Sequence, residues 1–557
     1  MITVKDPRQT GLFDKFADVL PPKIRRVLDD RWEGVFRTTI LELMPIEAMS
    51  QRLCVDKGRP SHELYAMCGL IMMKEYFGWT IEETIWKYSC DLSVQYALNV
   101  QSDKCEVAER TFMRYLDDFR KKELAVTLME EVTAALIEKL NIKVDQQRLD
   151  STHICSNMAN WGRAQLMANV VKKFLIQLKR HQNTLYYKLD RELLDRYEKS
   201  TGWIFAAPAT KDNGRKAQHI SSNREQIGYD MLRLLETFET HPQVSNMNTY
   251  KILFRVFHEQ CYIDDGKVKI QAHPGGNAMV NPSDPDTANG HKGNGYQAQV
   301  METCNPENPV QLITAVLPQK ASACDQNAVG LMLPLAEKVG AKPETLLADA
   351  GYGSDENVLK AADAGVKLVA PTTGKNPERF GLEDFCIDEL NRVVKCPCGK
   401  SPLKKQYEVL SDKGRVVFAS SCCGDCPHRT TCPVSKSGNN YSLDYDARSL
   451  RLRARRIHEG TAFFQEEYRL RGGIEGLFGR LKQFGPLRRL MVRGKTPVHN
   501  AIYLIMAGHN IMQAVRAMRK TGPGTAVSAF WLLIWMKKCL SMPFMGACRL
   551  KSYPLFP

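Results

Sequence analysis

The sequence predicts an α/β protein built on a mixed sheet, with a helical domain ahead of the sheet and two long interruptions within it. Three observations carry that expectation. Apolar residues recur at helical spacing from about residue 60 to 120, strand-like runs separated by Gly/Asn/Pro turns begin near residue 267, and the pattern turns βαβ around residues 344–371. At 557 residues the chain has room for several domains of roughly 150 residues each.

Taken in order, HELYAMCGLIMMKEYF reads as a helix closed by Gly78, and Thr80 with Glu83 forms a capping box for TIEETIWKYSCD. Glu109–Phe119 (ERTFMRYLDDF) supplies a third helix. Such a trio suits a helix-turn-helix DNA reader, a plain bundle or a dimerisation unit equally. Gln147–Ile154 (QRLDSTHI) is strand-like, and a charged helical stretch follows from about Gly162 to His258. VKIQAH, YQAQVMETC and VQLITAVLP then read as strands. ETLLAD is an apolar run ending in a carboxylate, Ser354 caps ENVLKAADA, Gly365 ends it, and VKLVAP is the second strand of the βαβ unit. From about Thr372 to Asp446 there is no long period and no obvious core, only a cysteine cluster among Lys, Ser, Gly and Asn, so the segment reads as an inserted subdomain. A basic helical region follows, and after Gly522-Pro523-Gly524 comes a short tail.

With 43% hydrophobic and 25% charged residues, collagen-like, disordered and small disulfide-scaffold classes are excluded. Seventeen cysteines, most isolated as Cys54, Cys68, Cys105 and Cys261 are, predict reduced intracellular thiols. The opening MITVKDPRQTGLFDK has no basic-then-apolar leader. The longest apolar run, Ala526–Met536, falls short of the ~20 residues that span a bilayer, so no membrane partner is expected. Net charge is +15, and the window Arg448–Lys520, with 16 basic and four acidic residues, carries +12 of it. A field of that sign attracts a polyanion, and nucleic acid is the expected partner. The densest run is Arg451-Leu-Arg453-Ala-Arg455-Arg456, while Arg488, Arg489, Arg493 and Lys495 form a second candidate phosphate surface.

Four side chains in this region share a spacing. Tyr468, Arg471, Glu475 and Lys482 would fall within a stripe of about 60° on one helix. A phenol, a guanidinium, a carboxylate and an ammonium make a poor core stripe and a sensible phosphate-and-metal face. Gly472, Gly473, Gly476 and Gly479 argue against a regular helix and suit close approach of a bulky backbone such as DNA. Asp349 stands at the end of an apolar strand and Asp150 within QRLDSTHI. Two strand carboxylates and a helix Glu make a hard-cation set of the kind that serves displacement at phosphorus. Ser151 and His153 flank Asp150, but no oxyanion-hole motif accompanies them. Asp284, Asp286, His291 and Lys292 read as a turn between strands, with Lys292 free to meet DNA.

With every spacing intact, Y-x2-R-x3-E-x6-K resembles the signature of DDE transposases of bacterial insertion sequences, most like the insertion sequence 1182 group of the insertion sequence 4/5 superfamily. The likeness runs from GRPSHELYAMCGLIMMKEYFGWTIEE through RLDSTH and LADAGYGS to RGGIEGLFGRLKQ, most of residues 40–515. It implies an RNase H-like core in which Asp150, Asp349 and Glu475 bind two Mg²⁺ or Mn²⁺ ions, Arg471 and Lys482 hold phosphates, and Tyr468 orients a strand. It also implies double-stranded DNA as substrate, both terminal inverted repeats and target, a homodimer in the DNA complex, and a place at the nucleoid in the bacterial cytoplasm. The corresponding domains are 1–125 (helical, DNA-binding or dimerising), 140–515 (catalytic core, with insertions at about 160–260 and 372–446) and a 516–557 tail. Two rivals keep part of the chemistry: a metal-dependent nuclease or resolvase without strand transfer, and a non-enzymatic zinc-dependent DNA-binding regulator. In the cysteine cluster, Cys396 and Cys398 offer one pair, Cys423 and Cys426 another at knuckle spacing, and Cys432 a fifth thiol; structural Zn²⁺ needs four ligands, and Cys422 and His428 add to the surplus.

Overall fold

In the computed structural model, residues 2–7, 15–51, 53, 59–100, 105–159, 161–198, 202–204, 213–374 and 376–521 are described. Four helices build the N-terminal bundle: α1 (Leu64–Phe77), α2 (Ile81–Cys90), α3 (Glu109–Lys121) and α4 (Leu124–Leu140). Gly78 ends α1 in the left-handed region at φ 69°, and the Thr80–Glu83 capping box opens α2 with both of its hydrogen bonds. From Leu64 to Glu75 every α1 side chain except Tyr65 is buried. This helix is therefore the centre of a bundle and has no face free to read a DNA groove.

The sheet begins with β1 (Gln146–Cys155). The charged stretch after it forms α5 (Arg163–His181), α6 (Arg191–Glu198), α7 (Asn213–Phe238) and α8 (Asn248–Gln260). Phe174, Leu178, Leu194, Leu234, Leu253 and Val256 close a core of their own among these helices. A hairpin, β2 (Cys261–Asp264) with β3 (Lys267–Ile270), joins that helical core through Val268. The VKIQAH strand expected in the main sheet lies there instead, because its partner is the strand immediately before it.

Strands β4 (Ala288–Gly290), β5 (Gly293–Thr303) and β6 (Ile313–Lys320) return to the sheet, followed by α9 (Val329–Lys338), β7 (Thr345–Ala348), α10 (Asp355–Asp363) and β8 (Lys367–Val369). Across the sheet the order is β6-β5-β1-β7-β8, with β4 against the start of β5. The β6–β5–β1 pairings are antiparallel and the β1–β7–β8 pairings parallel. This mixed α/β architecture is compatible with the RNase H-like core that the resemblance implies. Ser354 caps α10 through the Asn357 N–H, and Gly365 follows it at φ 73°.

Next come six short strands, β9 (Cys386–Ile387), β10 (Val393–Lys395), β11 (Lys404–Glu408), β12 (Lys413–Phe418), β13 (Ser435–Ser437) and β14 (Asn440–Asp446). The last four form a sheet ordered β11-β12-β14-β13. The expectation of a segment without a core is corrected here: Phe385, Val393, Val416, Phe418, Val434 and Tyr445 are buried together. Four helices complete the described chain: α11 (Ala447–Glu459), α12 (Ala462–Arg469), α13 (Gly473–Gln483) and α14 (Lys495–Thr521). Helix α14 continues past the boundary expected at residue 516. Residues 522–557, with the Ala526–Met536 run, lie outside the described residues, as does Cys54. No described helix is long and apolar enough to cross a membrane.

One sheet face packs on α13 and α14 through Ile154, Val300, Ile313, Leu477, Leu481 and Ile505. The other packs on α9 and α10 through Leu149, Met301, Met332, Leu346 and Ala361. Between β1 and β5 lies a buried ion pair: Arg148 donates Nε and Nη2 to Glu302 Oε2 at 2.8 and 2.5 Å, and Nη1 to the Leu470 carbonyl at 2.9 Å. Removing one partner of such a pair leaves an uncompensated buried charge, which costs about 3–5 kcal/mol. Arg148→Met is therefore expected to lower unfolding stability by that order in urea titration. Arg148→Met with Glu302→Leu should recover most of the loss.

Candidate active site

Local folding brings the carboxylates together. Parallel pairing sets Leu149 opposite Ala348, so Asp150, within β1, and Asp349, just past the end of β7, follow side by side. Asp349 caps the turn after β7, its Oδ1 accepting the Gly351 N–H at 2.8 Å. Asp150 Oδ1 accepts the Ser151 N–H at 2.7 Å. Glu475 arrives from α13, across a break. Residues Leu470–Gly472 form a 3₁₀ turn between α12 and α13, so the Tyr468–Lys482 stripe does not run on one regular helix, as its glycines argue.

The cause of one glycine is visible. A Cβ at Gly473 would stand 1.9 Å from Arg148 Nη1, so this position serves the Arg148 contact. Around Gly479 nothing lies within 4 Å of a would-be Cβ, leaving that approach open.

Arg471 emerges from the turn and spans all three carboxylates. Its Nη2 donates to Asp150 Oδ2 at 2.6 Å and stands 3.7 Å from Asp349 Oδ2, while Nη1 donates to Glu475 Oε1 at 3.1 Å. Exposure rises across the set, with side chains 14% (Asp150), 40% (Asp349) and 69% (Glu475) accessible and Arg471 itself at 16%. Burial pushes the Asp150 carboxyl above its usual range; Arg471 and the Ser151 N–H oppose that rise, and the neighbouring Asp349 adds to it.

The other expected residues take distinct places. Tyr468 is half-buried and stacks on Phe464, ring centroids 5.4 Å apart; burial raises its phenol pKa. Lys482 is partly buried near Asp150, its ammonium pKa lowered by burial and by Lys292 and Arg488. A cleft of about 480 Å³ is lined by His153, Lys292, Arg488 and Arg489 among others. Both arginines are exposed, and Arg493 donates to Asn157 Oδ1 at 3.2 Å.

The denser basic run is otherwise engaged, which corrects its reading as a phosphate surface. Arg451 pairs with Asp355 at 2.6 Å, Arg455 donates to the Gly353 and Ala370 carbonyls at 2.9 and 3.1 Å, and Arg456 pairs with Glu383 at 3.1 Å. Arg451 and Arg455 bolt α11 to the turn that follows Asp349 and to the end of β8, and Arg456 fastens it to the β subdomain. Arg453 donates to the Phe385 carbonyl at 3.4 Å and ties α11 to the β subdomain.

Several neighbours went unread in the sequence. Ser151 Oγ donates to Asp325 Oδ2 at 3.1 Å, Gln299 Nε2 donates to Asp325 Oδ1 at 2.7 Å, and the Tyr352 hydroxyl donates to Gln299 Oε1 at 2.5 Å. This network takes up the Ser151 hydroxyl, so Ser151 and His153 form no nucleophile–base pair. Polar residues alternating through a buried strand, Gln297 and Gln299 in YQAQVMET, were its available signal. Asp284 is structural: it accepts from the Tyr296 hydroxyl at 2.8 Å and from the Gly494 N–H at 3.0 Å. Asp286 accepts the Lys495 N–H at 2.9 Å, tying the same turn to the start of α14.

Three hard oxygen donors gathered on one cationic group fit a divalent cation chemically, the guanidinium standing where positive charge is wanted. Among the described residues no group of three or more His, Cys, Asp or Glu side chains is already set around an ion position: Arg471 stands between the three carboxylates, and the thiols of the cysteine cluster would have to draw together around an ion. In the cysteine cluster, burial pushes the Cys398 and Cys423 thiols up to about 11, and crowding by Cys396, Cys426 and Cys432 adds to this in both.

Residues 395–515 match a family model described as a transposase DDE domain. That span holds the cysteine cluster and Glu475 but neither aspartate. No curated protein and no solved structure matches the chain.

A carboxyl whose folded pKa is raised opposes folding when it is ionised, and that opposition fades as pH falls. Asp150→Asn is accordingly expected to raise the urea midpoint at pH 7–8 with an unchanged m-value; a lower midpoint would show that Arg471 returns more than burial removes.

Proposed function

We propose that this protein is a DDE-type transposase that cleaves phosphodiesters at the ends of a mobile DNA element and transfers the resulting 3′-OH ends into target DNA. One observation carries the reading: three carboxylates from separate segments, Asp150, Asp349 and Glu475, meet on the single guanidinium of Arg471. The DDE-domain match over residues 395–515 supports it, and so does the basic cleft beside the site.

Asp150, Asp349 and Glu475 would hold the divalent ions, Mg²⁺ or Mn²⁺. Such ions, when bound, neutralise charge at phosphorus and make water a better nucleophile. The chain's own groups do the rest. Arg471 passes from the carboxylates to a phosphate oxygen. Lys482, Lys292, Arg488, Arg489 and Arg493 receive the backbone of the double strand, and Tyr468 sets the strand's angle. A homodimer supplies one such site for each element end.

Asp150→Asn, Asp349→Asn and Glu475→Gln are each expected to reduce Mg²⁺- or Mn²⁺-dependent cleavage by about a hundredfold or more, while binding to terminal DNA persists in gel-shift titration. Cleavage at the parental rate in any one of them removes that residue from the site. A nuclease or resolvase would give the same losses yet never join pre-cut ends to a target plasmid, so joined products separate the readings. A non-enzymatic regulator would be indifferent to Asp349→Asn.

Arg488→Ala with Arg489→Ala should weaken binding to every DNA sequence and flatten the salt dependence by about 0.9 log unit for each phosphate no longer neutralised. The slope of log affinity against log salt measures this, and an unchanged slope places both side chains off the DNA.

A further inference from the structure

Beyond the carboxylate site, the second concentration of reactive groups is the thiol cluster. Cys396, Cys423 and Cys432 pack against the small core of the β11–β14 subdomain. They share a cavity of about 500 Å³ with Cys398 and Cys426. Three chain segments thus deliver five thiols to one space: the Cys396-Pro397-Cys398 turn, the short helix Ser420–Cys423 with the turn after it, and the residue two before Val434.

The spacing excludes a disulfide and leaves room for a metal. Cys398 Sγ and Cys426 Sγ are 3.7 Å apart. A disulfide requires about 2.05 Å. The edge of a sulphur tetrahedron drawn with zinc–sulphur bonds of about 2.3 Å is about 3.8 Å. Backbone donors are in place as well: the Lys400 N–H donates to Cys396 Sγ at 3.3 Å, and the Val434 N–H to Cys432. Such bonds suit sulphur that carries negative charge.

We infer that Cys398 and Cys426, joined by two of the thiols of Cys396, Cys423 and Cys432, hold one structural Zn²⁺ ion. Each coordinating thiol gives up its proton to solvent as the ion binds, and no electrons are exchanged. Four thiolates close the coordination shell, so no position is left for a substrate. The role follows from size: a core of six buried side chains gains much from a metal staple. Through Arg453 and Arg456, the same subdomain grips α11. The site is independent of the transposase reading.

The test uses the full chain purified without chelator. Metal analysis should find about one equivalent of zinc, with four thiols shielded from Ellman's reagent until a chelator is added. Cys398→Ser and Cys426→Ser should each lose the metal, and Cys386→Ser, on β9 outside the cluster, should keep it. Cys396→Ser, Cys423→Ser and Cys432→Ser should each keep it singly, and any two of them together should lose it. Where a serine variant fails to fold, Co²⁺ exchanged into the parent chain supplies the readout, as the intense sulphur-to-cobalt charge transfer and strong visible bands of a tetrahedral thiolate site. Less than a tenth of an equivalent of zinc with all five thiols reactive in the folded chain, or a metal content unaltered by Cys426→Ser, would overturn the assignment.

Discussion

The buried Arg148–Glu302 pair sets the geometry on which the site depends. Arg148 is only 8% exposed and sits two residues before Asp150 on the same strand. One end of its guanidinium bonds Glu302 Oε2, and the other reaches the Leu470 carbonyl. That carbonyl belongs to the turn dividing α12 from α13, and Gly473 lets the helix come down onto the guanidinium without a clash. An unbroken helix would carry Arg471 and Glu475 along a straight stripe. Across this turn Arg471 reaches Asp150, midway along β1, and Asp349, just past the end of β7. Burying a charged pair is a poor route to stability for its own sake, but here it ties the sheet register to the helix that completes the site.

Arg471 then meets a second constraint. Asp150 is mostly buried beside Asp349, and two neighbouring carboxylates with little water favour protonation of one of them. A cation between them keeps both usable. The guanidinium is planar, permanently charged and able to fork between acceptors, so a single side chain serves three carboxylates. The remaining basic residues divide by environment. Those of α11 hold that helix to its neighbours, whereas Arg488 and Arg489 stay exposed on the cleft.

Local signals were legible in the sequence. The Thr80–Glu83 capping box, the Ser354 cap, the Gly78 and Gly365 stops and most strands of the main sheet each depend on a few consecutive residues, and each is present. Asp150, Asp349 and Glu475 are weak signals one by one and stand out only as a set, two strand carboxylates with a Glu on a basic helix. What the sequence hid is non-local. Arg148 and Glu302 are 154 positions apart, and neither has a pattern that names the other. The engaged state of Arg451, Arg455 and Arg456 depends on acceptors at Asp355, Gly353, Ala370 and Glu383, which composition counts as mere background. The β subdomain escaped notice because its strands are short and, as in β11, largely exposed, so periodicity never rises above the turns.

Helix α14 has a consequence in time as well as in space. Leu504, Ile511 and Ala514 belong to the same core as Phe112, Leu128 and Val132 near the other end of the chain. A ribosome adding ~5–20 residues per second needs tens of seconds to travel from α4 to α14. Throughout that interval the opening helices have an apolar face and nothing to cover it. The N-terminal bundle thus cannot finish folding as it emerges, and a chain halted before residue 504 presents an open groove of the kind that chaperones and proteases engage. Synthesis of α14 is itself the step that closes this core.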